Sequence, residues 1–187
     1  NSNIQIIFST WEGEESKYDE TDIVLFNKIP KEKGIKNVML QQLSTFNGLL
    51  KAKELGFKKA IKIRSDSYFT DLDMFLKKDI NYDKINFLYF LNYHRINNDK
   101  KIMHYKYFYD FMQIGNIDNL LKMWNFKYEI SDYSEQLTTK HILATFKKED
   151  IAFIGNYLTK DCDIFWISRK LYLSNLDKNN YILNIND

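Results

Sequence analysis

At 187 residues, with 44% hydrophobic and 28% charged side chains, the chain is long enough to bury a real core and too apolar to be disordered. A net charge of +2 excludes the electrostatic field of a nucleic-acid-binding protein. Cys162 is the only cysteine, which excludes an internal disulfide and a cysteine-based zinc site, and no apolar run approaches the ~20 residues of a membrane span.

In chain order, Ile4 to Phe8 is a short apolar run that predicts a buried strand, and the polar Ser9-Thr10-Trp11 then reads as its carboxyl end. Glu12 to Glu20 is acidic and polar, a loop or a short exposed helix. Ile23 to Phe26 predicts a second strand, stopped by Asn27 and Pro30. Met39, Leu43, Phe46 and Leu50 recur at helical spacing and predict one apolar stripe facing a core, with Gly56 where a helix-ending glycine belongs. Ala60 to Ile63 resumes as a strand, so strand, helix and strand form a crossover with parallel strands. Asp71 to Leu76 suggests a short helix, Phe87 to Leu91 a buried strand, and Tyr105 to Ile114 an aromatic strand ending at Gly115. Leu120 to Trp124 and Ser134 to Phe146 read as helices, with Ile151 to Ile154 and Ile164 to Ile167 as closing strands. With one Pro, six Gly and no linker-like stretch, residues 1–187 are expected to be a single α/β domain. Its central sheet should be mostly parallel, flanked by helices, with a smaller antiparallel portion.

Ligands of open α/β sheets bind beyond the carboxyl ends of the strands. Three such ends are polar here: Ser9-Thr10-Trp11, Asn27 and Arg64-Ser65-Asp66. The planar fork of Arg64 suits a diphosphate, and Asp66 offers a hard oxygen ligand for Mg²⁺ or Mn²⁺. The competing reading is an Arg–Asp ion pair that merely ends a strand. On the predicted helix Asn37, Gln41, Ser44 and Gly48 form a second, uncharged polar stripe beside the apolar one. Such a stripe means close approach to another backbone or to a ligand, or helix–sheet packing with satisfied amides. Trp11 can stack on a nucleotide base or belong to the core. His94, His104 and His141 lack metal-ligand spacing, and Asp161 with Asp163 reads as a polar turn. P-loop, Rossmann glycine, Gly-x-Ser-x-Gly and His-Glu-x-x-His motifs are all missing, which argues against ATPases, dehydrogenases, serine hydrolases and zincins.

The ordered set Phe8-Ser9-Thr10-Trp11, Asn37…Gln41…Ser44-Thr45…Gly48-Leu49 and Lys62-Ile63-Arg64-Ser65-Asp66 resembles the WavE-like lipopolysaccharide synthesis family. Asp110-Phe111-Met112-Gln113-Ile114-Gly115 and Ser134-Glu135-Gln136 resemble that family's second half. The resemblance implies a GT-A-like glycosyltransferase that moves a sugar from a nucleotide-sugar donor to a bacterial surface glycan, lipopolysaccharide core or capsule. Ser9, Thr10, Trp11, Asn27, Gln41, Arg64 and Asp66 would bind the donor. Asp66 would also hold a divalent metal, Mn²⁺ or Mg²⁺. Arg64 stands where such enzymes carry the first carboxylate of an Asp-x-Asp motif, so the usual two-carboxylate metal site is not expected. The resemblance puts Glu135 on the acceptor side, the first candidate for the catalytic base, while a plain reading makes it a helix-dipole partner. Asp110, which precedes a Gly-ended aromatic segment able to line a sugar pocket, is the alternative base. The acceptor would be an oligosaccharide or lipid-linked glycan, with no nucleic acid and no membrane segment in these residues. The expected setting is cytoplasmic, peripheral at the inner membrane where the acceptor is lipid-linked, and the opening Asn1-Ser2-Asn3 reads as an excised piece of a longer protein. Two competing expectations remain: a non-catalytic GT-A-like domain that binds glycan or nucleotide as a scaffold, and a phosphoryl-type transferase decorating capsule.

Overall fold

The computed structural model describes residues 4–18, 23–65, 80–88, 93–96, 99–102, 110, 112–127 and 141–154. The elements are β1 (Ile7–Trp11), β2 (Ile23–Asn27), α1 (Val38–Glu54), β3 (Lys59–Ile63), β4 (Ile85–Leu88), β5 (Tyr93–Ile96), β6 (Asp99–Ile102), β7 (Met112–Asn116), α2 (Ile117–Trp124) and β8 (Ile151–Ile154). Short 3₁₀ turns lie at Glu15–Lys17, Ile35–Asn37 and Lys148–Asp150, and residues 141–145 are helical.

β1 and β2 form a parallel pair running from Ile7 opposite Ile23 to Trp11 opposite Asn27. A four-stranded sheet follows the order β3-β7-β4-β8. β7 is antiparallel to both of its neighbours, while β4 and β8 are parallel, so β3, β4 and β8 share one direction. β5 and β6 make a separate antiparallel hairpin. The expected mixed α/β class is what the chain adopts. Among the described residues the four-stranded sheet is not mostly parallel, however: β7 stands inside it, antiparallel to β3 and β4, and only β4 and β8 pair in parallel. β2 pairs with β1 in a separate sheet, so the expected crossover from β2 through α1 does not bring β3 beside it.

α1 ends where the sequence predicts. Gly56 adopts φ +87°, its N–H donates to the Lys53 carbonyl at 3.0 Å, and the Phe57 N–H reaches back to Ala52 at 3.1 Å. This is a Schellman stop, which needs a left-handed residue and therefore favours glycine. α2 opens on Asn116, whose side-chain oxygen accepts from the Asn119 N–H at 2.8 Å, and it buries Ile117, Leu120, Leu121, Met123 and Trp124. Those residues join Val38, Leu49 and Ala52 of α1, Ile85 and Phe87 of β4, and Ile142 and Phe146 in the main core. Ile61, Ile80, Tyr82, Met112 and Ile114 cluster separately. Successive strand residues face opposite ways, so Ile61, Met112 and Ile114 share one face of the sheet and Lys62, Gln113 and Phe87 the other.

Three local expectations are corrected. The first strand starts at Ile7 rather than Ile4, because strand pairing and not hydropathy sets its limits: Ile4 and Ile6 stay 66% and 61% exposed. Ser9, Thr10 and Trp11 therefore lie within the strand. The core face of α1 runs through Val38, Leu49 and Ala52, with Met39 and Phe46 partly buried, while Leu50 is exposed, since both β1–β2 and α2 press on the helix and rotate its contact face. Asn37 precedes the helix in a left-handed conformation, φ 62°, and is no part of a helical stripe. Of the strand expected over Tyr105 to Ile114, Met112 to Ile114 belong to β7, which runs on to Asn116, while residues 105–109 and 111 lie outside the described residues. The expectations for Asp71 to Leu76, for residues 134–140 of the last predicted helix and for Ile164 to Ile167 lie outside the described residues.

Candidate functional site

α1 carries two polar clusters along one side. The first is a seam against β1 and β2. The Ser9 hydroxyl donates to the Ser44 carbonyl at 2.6 Å. Asn27, 4% exposed, donates through Nδ2 to the Thr10 carbonyl at 2.7 Å and to Ser9 Oγ at 3.0 Å, and its Oδ1 accepts from Asn47 Nδ2 at 2.8 Å. A Cβ on Gly48 would stand 3.2 Å from Ser9 Cβ, so any larger residue would require the strand or helix to give by a few tenths of an ångström. Gly48 and the Ser44 carbonyl thus serve helix–sheet packing, while the Ser44 hydroxyl donates back to the Gln41 carbonyl at 3.3 Å. Ser9 and Asn27 have their side-chain hydrogen-bonding groups engaged inside the fold.

Thr10, also buried, donates its hydroxyl to the Glu14 carboxylate just past the end of β1. A hydrogen bond from Lys17, and next the one from Thr10, hold the Glu14 carboxyl below its ordinary range. Trp11, half-buried, sits opposite Asn27 at the last register position.

The second cluster lies one turn earlier on α1, at the carboxyl end of β3. Three groups from two elements converge on Asp110, two residues before β7. Gln41 Nε2 donates to Asp110 Oδ2, and Arg64 Nη1 meets the same oxygen at 3.1 Å. The Lys62 ammonium donates to the Asp110 backbone carbonyl and also stands 5.0 Å from the centre of the Trp124 ring. The Asp110 side chain is 9% exposed and that of Arg64 34%, so the pair has a buried anionic end and a cationic end open to solvent. Gln41 and Ser44 are three residues apart on one helix, a spacing that brings Cβ atoms to about 5–6 Å, so α1 joins the two clusters.

Behind Lys62 is a group that sequence reasoning missed. Gln113, its cross-strand neighbour, is fully buried and accepts the Trp124 indole N–H at Oε1, 2.8 Å. Its Nε2 finds no hydrogen-bond partner among the described residues. Gln42 was likewise missed. From the core side of α1 it donates to the carbonyls of Trp124, at 3.2 Å, and of Phe126, tying α1 to the end of α2. Lys62 was findable: strand alternation puts it on the same face as Arg64. Nothing local marks Gln113 or Trp124.

Of the residues read from sequence, the structure brings Gln41, Arg64 and Asp110 into contact and gathers Ser9 and Asn27 into the neighbouring seam. Asp66 and Glu135 lie outside the described residues, as do His104, Asp161 and Asp163; His141 Nε2 is 2.9 Å from the Lys122 carbonyl. Among the described residues no group of three or more His, Cys, Asp or Glu could hold a metal ion. Asp110 in particular does not fit a cation, because its Oδ2 already faces the Arg64 guanidinium and the Gln41 amide N–H. No helix among the described residues is long and apolar enough to cross a membrane.

The model of a family described as WavE lipopolysaccharide synthesis matches residues 2–161. No curated protein and no solved structure matches the chain.

Proposed function

The chain belongs to the WavE lipopolysaccharide synthesis family, and from that premise we propose that it is a glycosyltransferase, moving a sugar from a nucleotide-activated donor to a glycan acceptor. Membership carries involvement in lipopolysaccharide synthesis. The transfer chemistry is our inference, and one observation carries it: Gln41, Lys62 and Arg64 converge at the carboxyl end of β3, with the Arg64 guanidinium a third exposed. A partly exposed guanidinium at a strand's carboxyl end is suited to phosphate oxygens, which it can meet bidentately. The mixed sheet, with β3, β4 and β8 in one direction and β7 reversed among them, supports a GT-A-like reading.

In this reading Arg64, with Lys62 behind it, receives the donor diphosphate, and Trp11 borders the base. An acceptor hydroxyl oxygen attacks the anomeric carbon. The bond from that carbon to the phosphate oxygen breaks, and its electron pair leaves with the nucleoside diphosphate. The hydroxyl proton passes to a carboxylate, for which Glu135 is our assignment. Asp66 is the residue we propose to hold a divalent cation, Mn²⁺ or Mg²⁺, which would neutralise charge on the leaving diphosphate. No step above depends on it.

The test is a thermal-shift and calorimetric screen of nucleoside diphosphates and nucleotide sugars, with and without Mn²⁺. A true ligand at a hundredfold over Kd adds about 2.7 kcal/mol of stability. Arg64→Ala should weaken binding by about tenfold or more, with Arg64→Lys between the two, because the fork geometry is lost before the charge. If no nucleotide stabilises the wild type, the transferase reading fails. Binding without turnover across a donor and acceptor screen would instead favour the scaffold reading.

A further inference from the structure

We propose that Asp110 is a positioning residue rather than the catalytic base: it holds Arg64 in the orientation in which the guanidinium receives the donor diphosphate. The inference rests on the transferase reading. It also withdraws Asp110 as the alternative to Glu135 for proton transfer.

A general base must present an oxygen to an incoming hydroxyl at hydrogen-bond distance. The Asp110 side chain is only 9% exposed, and its Oδ2 accepts from both Gln41 Nε2 and Arg64 Nη1. Its backbone carbonyl is engaged as well, by Lys62 Nζ. One residue therefore ties together α1, through Gln41, and the carboxyl end of β3, through Lys62 and Arg64, immediately before β7 begins at Met112. The exposed end of this arrangement is cationic. What it offers a ligand is Arg64, not the carboxylate.

Ordering a long arginine side chain costs conformational entropy, and a buried carboxylate that holds it meets that cost at folding rather than at binding. Lys62 is oriented from a second direction. Its ammonium lies between the Asp110 carbonyl and the face of Trp124, whose indole N–H is anchored in turn on Gln113. Lys62 of β3 and Arg64, one residue past its end, are thus both directed by one acidic residue.

The experiment measures binding of a panel of ADP, CDP, GDP, UDP and dTDP by calorimetry. It uses the wild type, Asp110→Asn, Asp110→Ala, Arg64→Ala and the Asp110→Ala/Arg64→Ala double variant. Asp110→Ala should weaken the best-bound nucleotide by about tenfold or more, and Asp110→Asn by less, because the amide oxygen can still accept from Gln41 and Arg64. In the Arg64→Ala background Asp110→Ala should cost less than about twofold more, the non-additivity expected when one residue acts through another. A merely structural Asp110 would cost the same in both backgrounds, and that result overturns the proposal. Asp110→Asn keeps size and an acceptor, so it gives a folded protein for turnover assays even where alanine does not. Its effect should fall on the donor KM, with kcat held within about threefold. A kcat loss of about a hundredfold or more at unchanged donor affinity would make Asp110 the base and sink the inference. Wild-type protein that binds no nucleotide removes the transferase reading and this inference with it, whereas tight binding retained by Asp110→Ala removes this inference alone.

Discussion

Asn27→Ala is the substitution that tests the seam between α1 and the first two strands. Asn27 is 4% exposed and makes three well-formed side-chain bonds: to the Thr10 carbonyl at 2.7 Å, to Ser9 Oγ at 3.0 Å, and from Asn47 Nδ2 at 2.8 Å. They join β2 to β1 and to α1, elements otherwise linked by few buried apolar groups at this end. Each bond contributes about 1 kcal/mol net, and a buried acceptor left without a partner costs more than the mean. Ser9 keeps its 2.6 Å bond to Ser44, and Asn47 is half-buried and can rehydrate, which trims the loss. The expected destabilisation is therefore about 2–3 kcal/mol. Asn27→Asp should cost more, because it sets a carboxylate oxygen against the Thr10 carbonyl in a buried position. Urea unfolding followed by tryptophan fluorescence measures both, read as a shift of midpoint at constant m-value. A loss below about 0.5 kcal/mol for Asn27→Ala, the level of an ordinary surface change, would refute the reasoning.

At Gly48 two terms oppose each other. Alanine gains about 1 kcal/mol of helix propensity but places its Cβ 3.2 Å from Ser9 Cβ. Gly48→Ala should fall within about 1 kcal/mol of wild type and Gly48→Val should lose about 2–3 kcal/mol by overpacking, so equal stabilities in chemical denaturation would dismiss the close approach. Trp124→Phe removes the indole N–H from Gln113 Oε1 and leaves a fully buried carboxamide unpartnered at both ends among the described residues. The expected cost is about 2–3 kcal/mol, and adding Gln113→Leu should return part of it; strictly additive losses would contradict the pairing. Glu14 titrates below its ordinary 4.5 chiefly because of Lys17 and then Thr10. A carboxylate with a depressed folded pKa contributes stability that is present above 4.5 and lost as pH falls through the folded value. Lys17→Met should move the Glu14 carboxyl titration up toward 4.5, followed by carbon NMR, and no movement would remove Lys17 as the cause.

The sequence by itself determined the features that depend on near neighbours along the chain. Helical spacing and Gly56 marked α1 and its stop. Ala60 to Ile63, read as a strand, marked most of β3, and Leu120 to Trp124, read as a helix, marked most of α2. The order of short polar motifs carried the family. Only the tertiary structure decided what the polar groups do. The stripe on α1 had two open readings, and packing separates them. Ser44 and Gly48 face a strand, while Gln41, one turn away, reaches a carboxylate 69 residues further on. The contact between Arg64 and Asp110 spans 46 residues. The physical reason is the difference in range between the two kinds of cause. Propensity, capping and hydrophobic period act within a few turns of the chain, whereas the partner of a buried donor or acceptor is whichever group the folded packing delivers to within 3 Å or so of it.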